Sequence, residues 1–368
     1  MARTRLGSRF AASSALLLIG LLAACSSSAK SSTSVSAAAQ QTTTSADQAA
    51  TTAPTPTTAA TTATQEPITI KILGGSTNYG VIPYAKKTGI LEQALAKVNA
   101  KVEWVDGPAA FSANLDAMKA GNITASQAAV SPIIGALIAG LDFKIFAIAP
   151  ATVIPGQAGI LVRKGSGITT LQGLIGKRVA VNKAAHGEYI LLKALQQAGI
   201  PFDQVQRVPI QPPDAAAAFA SGSVDGWSTF NTFYTGAIAQ GATVLKDEAD
   251  IGSDDVTVIA ASSSQIAKNP AAFKVLVDVY NQLTIQSHSQ PELFQNIFQQ
   301  SGPTAVSGAQ LAAQIAQTKA APTLELATPA GIAHVQAVLD IFAKAGVLQK
   351  TVPVNDVVFD ITAALQGQ

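Results

Sequence analysis

Three histidines and one cysteine are the residues in this 368-residue chain most suited to metal ligation or nucleophilic chemistry. His186, His288 and His334 have no metal-ligand spacing among them. Cys25 stands alone, so no disulfide, thiolate metal site or catalytic thiol is expected in the folded part. A Gly-x-Ser-x-Gly elbow, a Gly-x-x-x-x-Gly-Lys phosphate loop and a His-Glu-x-x-His zinc pair are all missing. Carboxylates are plentiful, but no two of them single themselves out as an acid/base dyad. The reading is therefore of a protein that is not an enzyme and uses no metal and no cofactor. The chemistry the chain does offer is capture of an anion by backbone donors, in the stretch from Arg178 to Gly199. It opens as a short apolar strand, turns through Asn182 to Gly187, and continues as a helix with Leu191, Ala194, Leu195 and Ala198 on one face. A turn that feeds a helix from a strand leaves N–H groups unpaired at the positive end of the helix dipole. Ala184, Ala185, His186 and Gly187 would present them, and the small residues admit close approach. The same pattern also fits a plain strand–helix joint that binds nothing.

The elements that would position such a site follow in alternation. Strands are predicted over 68–73, 101–105, 123–130, 143–149 and 158–163, with helices over 84–98 and 109–120 and after Ser131-Pro132. The scheme then repeats: strand 178–182, helix 187–198, strand 205–210, helix 213–221, strand 224–228, helix 230–240, strand 243–246. A return strand over 256–261 leads into mostly helical sequence to Gln368. Ala117 to Ala125 and Ala218 to Gly226 share a helix end, a glycine stop and a strand start, a weak internal echo of two similar lobes. The expected class is α/β with largely parallel sheets. Ligands of such sheets sit at the carboxyl ends of strands, which puts the loops 74–80, 106–111, 130–132, 182–187 and 227–231 on the walls of a cleft.

Ahead of the lobes lie two segments of other character. Residues 1–24 carry Arg3, Arg5 and Arg9, then an apolar run too short to span a bilayer, then Leu22-Ala23-Ala24-Cys25. That order resembles a bacterial lipoprotein signal, in which the cysteine is lipidated and becomes the new N-terminus. Residues 25–66 are the lipidated Cys and a Ser/Thr/Ala-rich tether with too little apolar surface to offset its ordering entropy. The remaining 300 or so residues are too many for one core and suggest two lobes. Removing the leader leaves 21 basic against 22 acidic residues, with no basic stripe to suggest nucleic acid. Membrane attachment is expected through the lipid only.

Four stretches carry a family resemblance. They are Tyr84-Ala-Lys-Lys-Thr-Gly-Ile-Leu-Glu92, Lys177-Arg-Val-Ala-Val-Asn-Lys183 leading to Tyr189, Gln211-Pro-Pro-Asp-Ala-Ala-Ala-Ala-Phe219, and Gly222-Ser-Val-Asp-Gly-Trp227. With the signal and the two-lobe pattern, they resemble the extracytoplasmic solute-binding proteins of ABC importers, in the branch for aliphatic sulfonates, taurine and nitrate. The resemblance runs from about Ile68 to Pro291. It implies a type II periplasmic-binding-protein fold with a hinge, lobe one over 67–157 and 261–368, and lobe two over 158–260. It implies a lipid-anchored, extracytoplasmic monomer that closes on a small organic anion, with an alkanesulfonate the first expectation, and hands it to a membrane permease and its ATPase. The carried-over site joins Asn78, Tyr79, Phe111, Ser131, Trp227 and Asn231 to the backbone of 184–187. Trp227 and Phe111 read equally as core residues, Asn231 as a helix cap, and His186 as a surface residue. Val130-Ser131-Pro132 and Asn231-Thr232 stand where the family often has an acidic residue and an Asp-Pro. A pyrimidine or thiamine precursor, nitrate or an aromatic is the alternative ligand, and a sensor lipoprotein the alternative role.

Overall fold

Thr69, Ile70 and Ile72 favour extended backbone, and alternate side chains of their strand meet the core: Ile70 and Ile72 are buried while Thr69 and Lys71 are half-exposed. In the computed structural model, which describes residues 66–74, 77–108, 111–151, 153–302 and 305–367, this strand is β1 (Ile68–Leu73). The expected leader, the tether and Cys25 lie outside the described residues. β1 pairs in parallel with β2 (Ala100–Val105) and β3 (Ala125–Ala129). β4 (Phe143–Ile148) completes the first run of sequence. The chain then enters a second sheet with β5 (Ala158–Val162), β6 (Arg178–Val181), β7 (Gln206–Pro209), β8 (Gly226–Phe230) and β9 (Thr243–Asp247). It returns to the first sheet as β10 (Thr257–Ser262) and ends it with the short β11 (Glu325–Leu326).

Leaving β11 aside, the two sheets have one order. The first runs β2-β1-β3-β10-β4 and the second β7-β6-β8-β5-β9. In each, the second strand flanks the first, then comes the third, then a strand arriving from the other lobe, then the fourth. The arriving strand runs against its neighbours: β10 is antiparallel to β3 and β4, and β5 is antiparallel to β8 and β9. The sheets are therefore mixed rather than largely parallel as expected, because each lobe borrows one strand that enters from the opposite direction. The weak sequence echo corresponds to this repeated order. Thr257 to Ala260 belong to sheet one, so the crossing back falls near 252–256, a few residues before the 260/261 boundary expected from sequence.

The helices are α1 (Val81–Thr88), α2 (Ile90–Ala96), α3 (Leu115–Lys119), α4 (Val130–Ile138), α5 (His186–Gln197), α6 (Pro212–Ser221) and α7 (Asn231–Ala239). After β10 come α8 (Ser263–Lys268), α9 (Pro270–Ser289), α10 (Gly308–Ala320), α11 (Pro329–Lys344), α12 (Val354–Val357) and α13 (Ile361–Gln366). Gly89, the irregularity expected at 84–98, splits α1 from α2: it takes the left-handed conformation at φ 67°, where a side chain is strained. The helix expected over 109–120 is a 3-10 turn, Phe111–Asn114, followed by α3.

The apolar packing decides how the lobes relate. Ile70, Leu91, Leu95, Phe146 and Phe273 form one core between sheet one, α2 and α9. Phe219, Trp227 and Tyr234 form a smaller one between sheet two, α6 and α7. The third core crosses between lobes. Ile133 and Ile134 of α4 and Val335, Leu339 and Phe342 of α11 join Leu191, Leu192 and Leu195 of α5 in one buried cluster. Each such side chain contributes about 1.5–3 kcal/mol on burial. The contact is tight: a Cβ on Gly135 of α4 would collide with the Ala184 carbonyl of the turn before α5. Both sheets thus belong to one compact unit.

Candidate functional site

All five loops expected on cleft walls contribute to one continuous depression between the sheets. Its first part, about 400 Å³, takes Phe111, Pro132, Asn182, His186, Phe230 and Asn231 among its lining. Its second part, also about 400 Å³, takes Gly74, Thr77, Tyr79, Gly80, Gly107 and Pro108. Gln127, Asn231 and Gln317 line both parts and make them one cleft. The starts of α1, α4, α5 and α7 open on it, two from each lobe.

The turn before α5 shows how the backbone is organised. Ala184 sits in the left-handed region at φ 49°, and Ala185, in extended conformation, is the N-cap residue. Two of the expected free donors are already used. The Ala184 N–H donates to Glu188 Oε2 at 2.6 Å, and the Gly187 N–H donates to Asn182 Oδ1 at 2.8 Å. Side chains thus satisfy the helix start from within, as capping residues do. Gly187 is needed for space: a Cβ there would strike the Ser228 carbonyl and Asn182 Oδ1. Those two N–H groups therefore do not face a ligand as expected, which leaves the region around Ala185 and His186.

His186 is the chemical centre of the first part. Its Nδ1 lies 2.6 Å from Asp255 Oδ2 and its Nε2 3.2 Å from Glu248 Oε2. Phe230 packs against the ring, with centroids 5.2 Å apart. Burial alone would lower the imidazole pKa, but the charges of Glu248 and Asp255 and the hydrogen bonds to them outweigh it, so His186 is held well above its ordinary value. Burial would raise the Glu248 carboxyl, and here the His186 charge and hydrogen bonds from His186 and Ser253 win and lower it. Both ring nitrogens thus face carboxyl oxygens, an arrangement that favours the protonated imidazole.

Ser131 belongs to the same network rather than to the cleft surface. It is fully buried, its N–H donates to Asp255 Oδ1 at 2.6 Å, and its hydroxyl donates to Asp255 Oδ2. The expected contact of Ser131 with ligand is replaced by this one, because Asp255 on the crossing segment reaches the start of α4 first. The serine hydroxyl donates to the Asp255 carboxylate and not to His186.

The other expected residues separate. Tyr79 lines the second part of the cleft, and Phe111 and Asn231 line the first. Asn231 is the first residue of α7, at φ 52°, and its N–H donates to the Gln157 carbonyl at 2.7 Å, so it is not the N-cap; Phe230 is. Asn78 is turned away: its Oδ1 accepts from the N–H groups of Phe298 and Gln299 at 2.7 and 3.1 Å, tying its loop to the segment after α9. Trp227 is 2 % exposed in the core of lobe two and lines a different pocket, so it forms no wall of the cleft. Along β8 it is Phe230, three residues further on, that reaches the cleft. Sequence reasoning missed Glu248 and Asp255, which lie 62 and 69 residues from His186, and the neutral donors Gln127, Gln157 and Gln317. No local motif marks them; only the position of Asp255 just before the return strand hinted at a cleft.

Among the described residues no Lys or Arg lines the cleft. Nor does any cluster of three or more His, Cys, Asp and Glu have the arrangement of a metal site, or any helix the length and apolarity to cross a membrane.

Two sheets of one strand order, exchanging one strand each around a shared cleft, define a two-lobe α/β periplasmic-binding-protein fold. Residues 140–293 match the family described as NMT1/THI5 like. An aliphatic sulfonates-binding protein of Escherichia coli (strain K12) is 31% identical over 231 residues, covering 62% of this chain and 70% of that protein. The crystal structure of the periplasmic aliphatic sulphonate binding protein SsuA from Escherichia coli superposes with a TM-score of 0.64 at 27% identity, over 80% of this chain and 92% of that one. The alkanesulfonate-binding protein SsuA from Xanthomonas axonopodis pv. citri bound to MOPS shares the fold, with a TM-score of 0.67 at 24% identity over 80% and 98% of the two chains. The chain belongs to the aliphatic sulfonate-binding protein family.

Proposed function

We propose that this chain captures a small organic anion, an aliphatic sulfonate, in the cleft between its lobes and delivers it to the permease and ATPase of an ABC importer. In this reading it is a binding protein and not an enzyme. It works outside the cytoplasm as a monomer held to the cell membrane by a lipid on Cys25. The observation that carries the reading is the convergence of four helix starts, from both lobes, on one cleft that no Lys or Arg lines among the described residues. A sulfonate keeps its charge at every physiological pH. A site of helix dipoles and neutral amides attracts such a head group without an ion pair to desolvate. Gln127, Gln157, Asn231 and Gln317 supply neutral donors, while Phe111, Val153 and Ile154 suit a short alkyl chain. Of the expected ligand residues, Tyr79, Phe111, Ala185, His186 and Asn231 stay in the proposal, His186 through its ordering of the wall as much as by contact.

The charge balance of the cleft favours one refinement of the test. His186 stands between the carboxyl groups of Glu248 and Asp255, so this wall of the cleft holds two acidic groups beside one imidazole. Taurine, which has an ammonium group as well as a sulfonate, therefore belongs beside alkanesulfonates in any screen. A melting series of the purified protein against ethanesulfonate, hexanesulfonate, taurine, nitrate and a hydroxymethylpyrimidine tests the proposal. A sulfonate at 100 times its dissociation constant should add about 2.7 kcal/mol of stability. A shift with the pyrimidine or nitrate and none with any sulfonate would replace the ligand proposed here.

A further inference from the structure

Lobe two holds a second pocket that shares no lining residue with the cleft. It measures about 350 Å³ and lies between α6, α7 and the end of β5. Its floor is aromatic. Trp227 stands with ring centroids 5.8 Å from Phe219 and 6.3 Å from Phe233, each ring tilted against it. Gly236 of α7 leaves the wall open, since a Cβ there would meet nothing within 4 Å. Beside this floor lie two cations, Arg163 and Lys164, and no carboxylate lines the pocket. The Arg163 guanidinium is fixed by donating to the Val224 carbonyl and by packing over Gly222, whose φ of 80° and missing side chain make room for it. Among the described residues neither cation forms an ion pair.

We propose that this pocket is a second binding site for a small amphipathic anion, with the apolar body on Trp227, Phe219 and Phe233 and the head group on Arg163 and Lys164. The half-buried Phe233 ring, with the edges of the buried Trp227 and Phe219 beneath it, gives an alkyl body an apolar contact, and a held guanidinium offers paired donors to a carboxylate or sulfonate. The cation pair selects charge, and the size of the pocket selects short chains. This assignment does not depend on what the cleft binds.

Trp227 is its own reporter, because the chain has only one other tryptophan, Trp104, which donates to Glu92 in lobe one. In full-length protein carrying Trp104→Phe, titration with octanoate should shift the Trp227 emission saturably. Octanol, of the same length without charge, should bind at least tenfold more weakly. Gly236→Phe fills the open wall and should remove the response, with Ala220→Phe doing so from the facing helix should the first variant fail to fold. Lys164→Gln should weaken octanoate and leave octanol unchanged. No saturable shift with octanoate, equal affinity for octanol, or a response that survives both filled variants would each overturn the proposal.

Discussion

At the scale of single residues, the centre of the account is His186. Removing its charge leaves Glu248 and Asp255 buried, 7 and 6 % exposed, without the cation that stands between them. His186→Gln should therefore cost about 3–5 kcal/mol at neutral pH, as breaking one side of a buried ion network does. The pH dependence has a definite sign. The folded pKa of His186 is raised, so its contribution is fully present below the ordinary imidazole value of 6.5 and is lost as pH rises through the raised one. Glu248 works in reverse: its contribution is present above 4.5 and is lost as pH falls through its lowered pKa. Urea melts across pH should thus show a plateau between these values and an alkaline decline that His186→Gln lacks. An identical decline in the variant would place its cause elsewhere. Gly187→Ala is a different kind of change. It should cost about 1–3 kcal/mol by forcing Cβ onto the Ser228 carbonyl, with or without ligand, so it reports on folding and not on the site. Trp227→Phe, by contrast, should leave cleft affinity within twofold of the parent in calorimetry, since that ring never reaches the cleft.

Elements explain what was legible and what was not. Strand and helix identities over 68–261 could be read because periodicity and glycine stops are local signals, and Gly89 shows one at work. Sheet direction could not be read, because whether β5 and β10 run with or against their neighbours depends on which lobe they enter. The five cleft loops were legible from the rule that ligands gather at the ends of strands. The residues within them were not. Trp227 and Phe230 both lie on β8, and only the packing of α6 and α7 decides which is core and which is wall. Glu248 and Asp255 were hidden because they come from the 3-10 turn after β9 and from the crossing segment, far along the chain from His186. That segment is gripped from both lobes. Lys193 of α5 and His334 of α11 both bind Asp254, at 2.7 and 3.0 Å, while Asp255 links His186 to Ser131. Burial would raise the Asp254 carboxyl, but its bonds to Lys193 and His334 lower it instead. Asp254→Asn should loosen this joint. The loss expected at the exposed end of such pairs is about 1 kcal/mol, read by chemical melts, with faster amide exchange in 252–256. Unchanged exchange there would mean that the apolar core alone holds the crossing.

For the whole molecule, the shared core of α4, α5 and α11 fixes one edge of the two lobes and leaves the cleft edge free. In the proposed closure the lobes rotate about the connections from β4 to β5 and from β9 to β10, with α4 and α11 staying packed on α5. Such a motion is small in scattering and large in the cleft, so a pair of spin labels at Ser112 and Thr232 should report it better than overall size. Their distance should shorten with ligand, and an unchanged distance at saturation would favour a cleft already closed. The proposed lipid on Cys25 makes its own prediction: Cys25→Ser should move the protein out of the membrane fraction, and retention there would contradict the anchor. The most direct test of the central claim is isothermal titration of the purified protein with hexanesulfonate, hexanoate and hexylamine, each run on the parent and on Gln127→Ala with Asn231→Ala. The account predicts a saturable cleft site for the sulfonate, separate from any binding in the second pocket of lobe two, with at least tenfold weaker cleft binding in the double variant and no measurable heat with the amine. Amine binding with no sulfonate heat would contradict it.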